Sequence, residues 1–70
     1  MTLHELAEQY REGAHLIYMR IKEIDVSLKT DPMCRMERMR MLSRKDRLED
    51  MYYDALETAR FLEEYHGGIA

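Results

Sequence analysis

The segment of this chain with the most distinctive chemistry is Met33-Cys34-Arg35-Met36-Glu37-Arg38-Met39-Arg40-Met41-Leu42. Methionine is flexible and polarisable, which suits a surface that must adapt to a partner. Arginine adds planar, forked donors matched to carboxylate or phosphate. The pattern supports two functional readings, a tip that contacts nucleic acid or a helix face that docks on an acidic protein groove. The plainer alternative is a solvated basic face whose methionines fill a dimer core. Nucleic acid is the less favoured partner. The chain as a whole is acidic, at −3, and no aromatic residue separates the arginines to stack on bases.

Two Glu-x-x-His pairs, Glu12–His15 and Glu63–His66, could ligate a metal, because that spacing puts both side chains on one helical face. Glu8 lies one turn before Glu12. Such spacing arises readily in a Glu-rich helix, and Glu12 and His15 sit opposite the main apolar seam, so solvated polar faces are the simpler assignment and no metal is expected. Cys34 lies near a helix start among arginines, an environment that favours the thiolate. It has no resolving cysteine, and the seam count points it inward as a small core residue. His4 is read as a polar first-turn residue. There is no serine–histidine–acid set, glycine-rich phosphate loop or convergent carboxylate pair, and a two-helix rod offers little concavity for a pocket. The expectation is a protein that is not an enzyme and carries no cofactor.

The elements that position these residues are set by one apolar stripe. Leu3, Ala7, Tyr10, Ala14, Ile17, Ile21, Ile24 and Leu28 follow in alternating steps of four and three, a seven-residue repeat on one side of a single helix. Thr2-Leu3-His4-Glu5 fits a capping box at its start, and Lys29 suits the negative end. Gly13 is a weak point, at about 1 kcal/mol relative to alanine; beside Ala14 it would let the second helix approach closely. Thr30-Asp31-Pro32 stops the helix, and Asp31 as N-cap with Pro32 at the first position starts the next. The reading is therefore one domain over residues 1–70: helix 1 over about 3–29, a turn at 30–31, helix 2 over about 32–66 ended by Gly67-Gly68, and a tail at 67–70.

Helix 2 carries the matching seam Cys34, Arg38, Met41, Lys45, Leu48, Tyr52, Ala55, Ala59 and Leu62. A turn centred on Asp31 sets Leu28 opposite Cys34, Ile21 opposite Met41, Ala14 opposite Leu48 and Ala7 opposite Ala55. Arg38 and Lys45 interrupt the seam, where polar residues fix register or association state, and their stems cover Ile17 and Ile24. At about 1.5 Å per residue the helices are roughly 40 and 50 Å long, so the end of helix 2 overhangs the start of helix 1.

Seventy residues are near the size at which one core is only marginally sufficient, and such chains usually add disulfides, a metal or a second subunit. With a single cysteine no internal disulfide can form, and a reducing compartment is expected. No apolar run approaches the roughly 20 residues that span a bilayer, and the amphipathic, acidic N-terminus is unlike a leader, so the expectation is a cytoplasmic protein without membrane contact. Charge is sorted into blocks of −2 over residues 1–32, +4 over 33–47 and −5 over 48–70. That sorting speaks to partners and orientation rather than to fold.

Closing one seam leaves many apolar side chains outside. Tyr18, Leu42 and Leu56 flank it on one side and Leu6, Met51 and Tyr65 on the other, a candidate oligomer interface. Leu16, Met19, Val26, Met36, Met39, Tyr53 and Phe61 point further out. A set this large suggests a buried interface. The fold class expected is all-α: an antiparallel two-helix coiled-coil hairpin that dimerises into a four-helix bundle. The function expected is protein–protein interaction, as an adaptor, regulator or phage-type inhibitor, with a protein partner of unknown identity. Met36, Met39, Leu42 and Met51 would be its anchors, and Arg35, Arg38, Arg40 and Arg44 would set orientation. The alternatives are a nucleic-acid-binding hairpin using residues 35–47 and a metal-binding bundle.

The order of Tyr10–Leu28 (YREGAHLIYMRIKEIDVSL), the Met/Arg segment and Leu48–Tyr65 (LEDMYYDALETARFLEEY) resembles a loose group of short helical-hairpin proteins from Gram-positive bacteria, their phages and mobile elements. That resemblance spans most of the chain and implies a small accessory or regulatory role. The chain is also similar in outline to sporulation-regulating phosphatases of the Spo-zero-E type, which place an aspartate four residues after a helical serine. Here Ser43 is followed by Asp46 at the third position and Arg47 at the fourth, so that motif is not met and neither its activity nor its site residues carry over.

Overall fold

The structure, a computed structural model, describes residues 2–69, with side chains described to residue 65. Two helices fold back on each other as an antiparallel hairpin, and no strand occurs among the described residues. α1 spans Leu3–Thr30 and α2 spans Arg35–Ile69. The rod measures 54 × 16 × 14 Å.

At the start of α1 one half of the expected capping box forms. Thr2 is extended, and its hydroxyl accepts the Glu5 amide at 3.1 Å, satisfying one of the free donors of the first turn. Its end differs in detail. Asp31 sits at φ −89°, ψ 131°, the extended geometry that a following proline favours, and its amide donates to the Ser27 carbonyl at 2.9 Å. Asp31 is thereby engaged in closing α1 and does not open α2. The turn consequently covers Asp31–Cys34 rather than residues 30–31, and α2 begins at Arg35 rather than at Pro32. Cys34 takes the capping place, its carbonyl accepting from the Arg38 amide at 3.0 Å and its Sγ from the Glu37 amide at 3.5 Å. Cys34 is exposed, which corrects its expected inward placement. At the other end α2 continues through Gly67 and Gly68 to Ile69 instead of stopping at His66. Neither glycine takes the left-handed conformation that ends many helices.

The core follows the predicted stripe, but thinly. Ala7, Ala14, Ile21 and Ile24 of α1 and Ala59 of α2 are the buried apolar residues, and among the described residues no large side chain is fully enclosed. Seam positions Leu3, Ile17, Leu28, Met41, Lys45, Leu48, Tyr52, Ala55 and Leu62 are half-buried, whereas Tyr10, Cys34 and Arg38 are exposed.

The register differs from the expected one. Asp25 meets Lys45, Tyr18 meets Tyr52 and Arg11 meets Glu63, so Ala14 lies beside Leu56 rather than Leu48, and Ile24 beside Leu48. The two arms of the hairpin have slipped by about one heptad, a displacement that still pairs apolar with apolar, and the wider turn shifts the register in the same direction. With Arg11 opposite Glu63, the helix ends run side by side, and the expected overhang of α2 is absent among the described residues. Gly13 does not permit close approach either: a Cβ added there would meet nothing within 4 Å.

Candidate interaction surfaces

The two flanks of the seam are chemically different. Arg11, Tyr18 and Asp25 recur every seven residues along one flank of α1, and each reaches a partner on α2. The Arg11 guanidinium donates to both carboxylate oxygens of Glu63, at 2.8 and 2.6 Å, across 52 residues of sequence. Tyr18 and Tyr52 pack with ring centroids 5.9 Å apart, and the Lys22 ammonium lies 5.2 Å from the Tyr18 centroid. The Lys45 ammonium sits 2.5 Å from Asp25, with both side chains less than a third exposed, and 3.8 Å from Glu49. The hydrogen bond from Lys45 holds the Asp25 carboxyl below its ordinary range, and Lys22 and Lys29 add to this. Arg11 does the same to Glu63. The cations move the other way, Lys45 raised by Asp25 and Arg11 by Glu63.

The opposite flank has no such bridges among the described residues. It opens into a groove of about 530 Å³ lined by Leu6, Gln9, Tyr10, Gly13 and Ile17 from α1 and Met51, Asp54, Ala55 and Thr58 from α2. This lining is mostly apolar, and Met51 is 53% exposed within it. Toward the loop the same flank narrows to a smaller recess between Arg20, Glu23, Ile24 and Ser27 and Met41, Arg44 and Leu48.

The residues expected to form an oligomer interface are therefore divided between two faces. Leu6 and Met51 line the open groove, with Tyr65 two heptads beyond Met51 on α2. Tyr18 and Leu56 line the bridged side together with Arg11 and Ala14. Leu42 is exposed. No single plane gathers all six.

At the loop end, Met36 and Met39 are 65% and 60% exposed, and Arg35, Arg40 and Arg44 reach solvent. Arg40 approaches the Met36 sulfur at 3.8 Å. Arg38 instead serves the hairpin itself. Its guanidinium donates to the Leu28 carbonyl at 3.0 Å, one of the acceptors that the end of α1 leaves free. Of the basic segment 35–47, then, Arg38 and Lys45 are occupied within the hairpin, while Arg35, Arg40, Arg44 and Arg47 face outward.

The remaining candidates are dispersed. Glu12 and His15 are exposed, His4 pairs with Glu8 at 3.1 Å, and the His66 side chain lies outside the described residues. Among the described residues no three His, Cys, Asp or Glu side chains converge as a metal site would require. No described helix is long and apolar enough to cross a membrane.

Charge is distributed along the rod. The loop half, residues 18–52 as the Tyr18–Tyr52 contact divides the rod, carries nine Lys/Arg and seven Asp/Glu, a net +2. The open half, residues 1–17 and 53–70, carries two Lys/Arg and seven Asp/Glu, a net −5. Compared with protein-family models, curated proteins and solved structures, the chain matches none.

Proposed function

We propose that this chain is a small, non-enzymatic protein–protein interaction module of the cytoplasm, a bacterial or phage adaptor, regulator or inhibitor. Self-association into a four-helix bundle is part of this reading. One observation carries it. Among the described residues the hairpin buries five apolar side chains while leaving twelve large ones exposed, from Tyr10 and Leu16 to Phe61 and Tyr65. Isolated exposed apolar residues are ordinary, but a set this dense on a rod this thin is what an incomplete core presents.

In this reading Met36, Met39 and Leu42 anchor a protein partner at the loop end, and Arg35, Arg40 and Arg44 orient it through carboxylates. The test is crosslinking of the chain in its native cells, with mass spectrometry of the adducts. The Met36→Asp/Met39→Asp pair is expected to lose the crosslinked partner while keeping its helicity. Retention of every adduct and of self-association in that variant would overturn the reading.

A further inference from the structure

Resting on the interaction reading, we infer that the open groove is covered by a second copy of this chain lying in the reverse direction, with its loop end against the open end of the first. The groove face supplies the apolar surface, chiefly Leu6, Tyr10, Ile17 and Met51. The opposite face is already closed by Asp25–Lys45 and Arg11–Glu63, whose charged groups are satisfied within the hairpin. Burying the groove face therefore desolvates fewer ions, which is the smaller penalty.

Direction follows from charge. Two copies lying the same way would set +2 on +2 at the loop end and −5 on −5 at the open end. Reversal sets each basic half against its neighbour's acidic half at both ends. A two-fold axis across the rod produces this arrangement with one surface used twice. Complementary potentials of this kind select orientation and speed encounter, while apolar burial holds the pair together. High salt weakens the first contribution and leaves the second.

Cys34, the single cysteine, is exposed at the loop end and makes the direction measurable in the unmodified chain. Spin labels attached there are to be read by pulsed dipolar spectroscopy, alongside mass by light scattering. On a rod of 54 Å, reversed copies place the labels about 40–60 Å apart, whereas copies lying the same way place them within about 25 Å. The expected result is a mass of twice 8.5 kDa with the long distance. Met51→Asp in the groove is expected to halve the mass, and Tyr53→Asp, 64% exposed and outside the groove, to leave it unchanged. A short distance overturns the direction. Loss of the dimer in Tyr53→Asp with Met51→Asp intact overturns the choice of face. A monomer overturns the inference and, with it, the self-association part of the wider reading, while the binding of a protein partner is decided separately by the Met36/Met39 experiment.

Discussion

Asp25 and Lys45 meet across the hairpin with 2.5 Å between carboxylate and ammonium, and both side chains are less than a third exposed. Lys45 occupies a seam position, so a slip of one heptad would leave its charge half-buried without this partner. Polar groups at such positions specify register at some cost in stability. Asp25→Lys and Lys45→Asp are each expected to lower the melting temperature, and their combination to recover part of the loss. Recovery stays partial because a lysine at 25 would lie near Lys22 and Lys29, and an aspartate at 45 near Asp46 and Glu49. Circular dichroism melts of the three variants at low salt check this; additive losses would contradict it.

The same contacts set the pH range of the fold. Asp25 and Glu63 have lowered pKa values, so their contribution is complete above the ordinary carboxylate range near pH 4 and is lost as pH falls through the lower folded values. Lys45 is raised, so its contribution is complete below about pH 10 and is lost as pH rises through its folded value. A plateau in melting temperature between about pH 5 and 10, with a fall on either side, is the expected profile. Glu63→Gln should flatten the acid limb relative to the parent chain.

Gly13 lies inside α1 with open space where a side chain would begin. Gly13→Ala is expected to stabilise the hairpin by about 1 kcal/mol through helix propensity alone. For a domain of this size that corresponds to about 4–8 °C in melting temperature. Urea unfolding measures it directly.

Arg38 caps the end of α1 by donating to Leu28. Arg38→Ala is expected to lower stability by about 0.5–1.5 kcal/mol, the range of a net hydrogen bond. Its exposed neighbours Arg35 and Arg40 make no such contact to backbone, and their replacement by alanine should change urea unfolding by less than about 0.5 kcal/mol.

How much of this was legible in the sequence depended on whether a feature is local. The α1 stripe and the Thr2 cap are written in adjacent turns, and both appear in the structure, except that Tyr10 is exposed. The Asp31-Pro32 break was equally plain, but its allocation was not. Asp31 can serve either the helix before it or the one after, and the competition is decided by the Ser27 carbonyl. That single choice lengthens the turn, moves the start of α2 to Arg35 and shifts the register in the observed direction. Arg11–Glu63 was unreadable for the same reason: 52 residues separate the partners, and their meeting depends on a register that apolar-to-apolar pairing leaves degenerate. The difference between bridged and open flanks follows from those pairings. It becomes visible once Tyr18 is known to face Tyr52.

Among the described residues three of the five buried side chains are alanines, Ala7, Ala14 and Ala59, so the fully enclosed part of the interior is small. An interior that small gives a single hairpin little margin over its own chain entropy. Where a second molecule completes the burial, the folded fraction rises with the amount of chain present, as mass action requires. Dilution would then unfold the hairpin as heat does. A hairpin completed in that way would gauge its own abundance, ordered when plentiful and open to proteolysis when scarce.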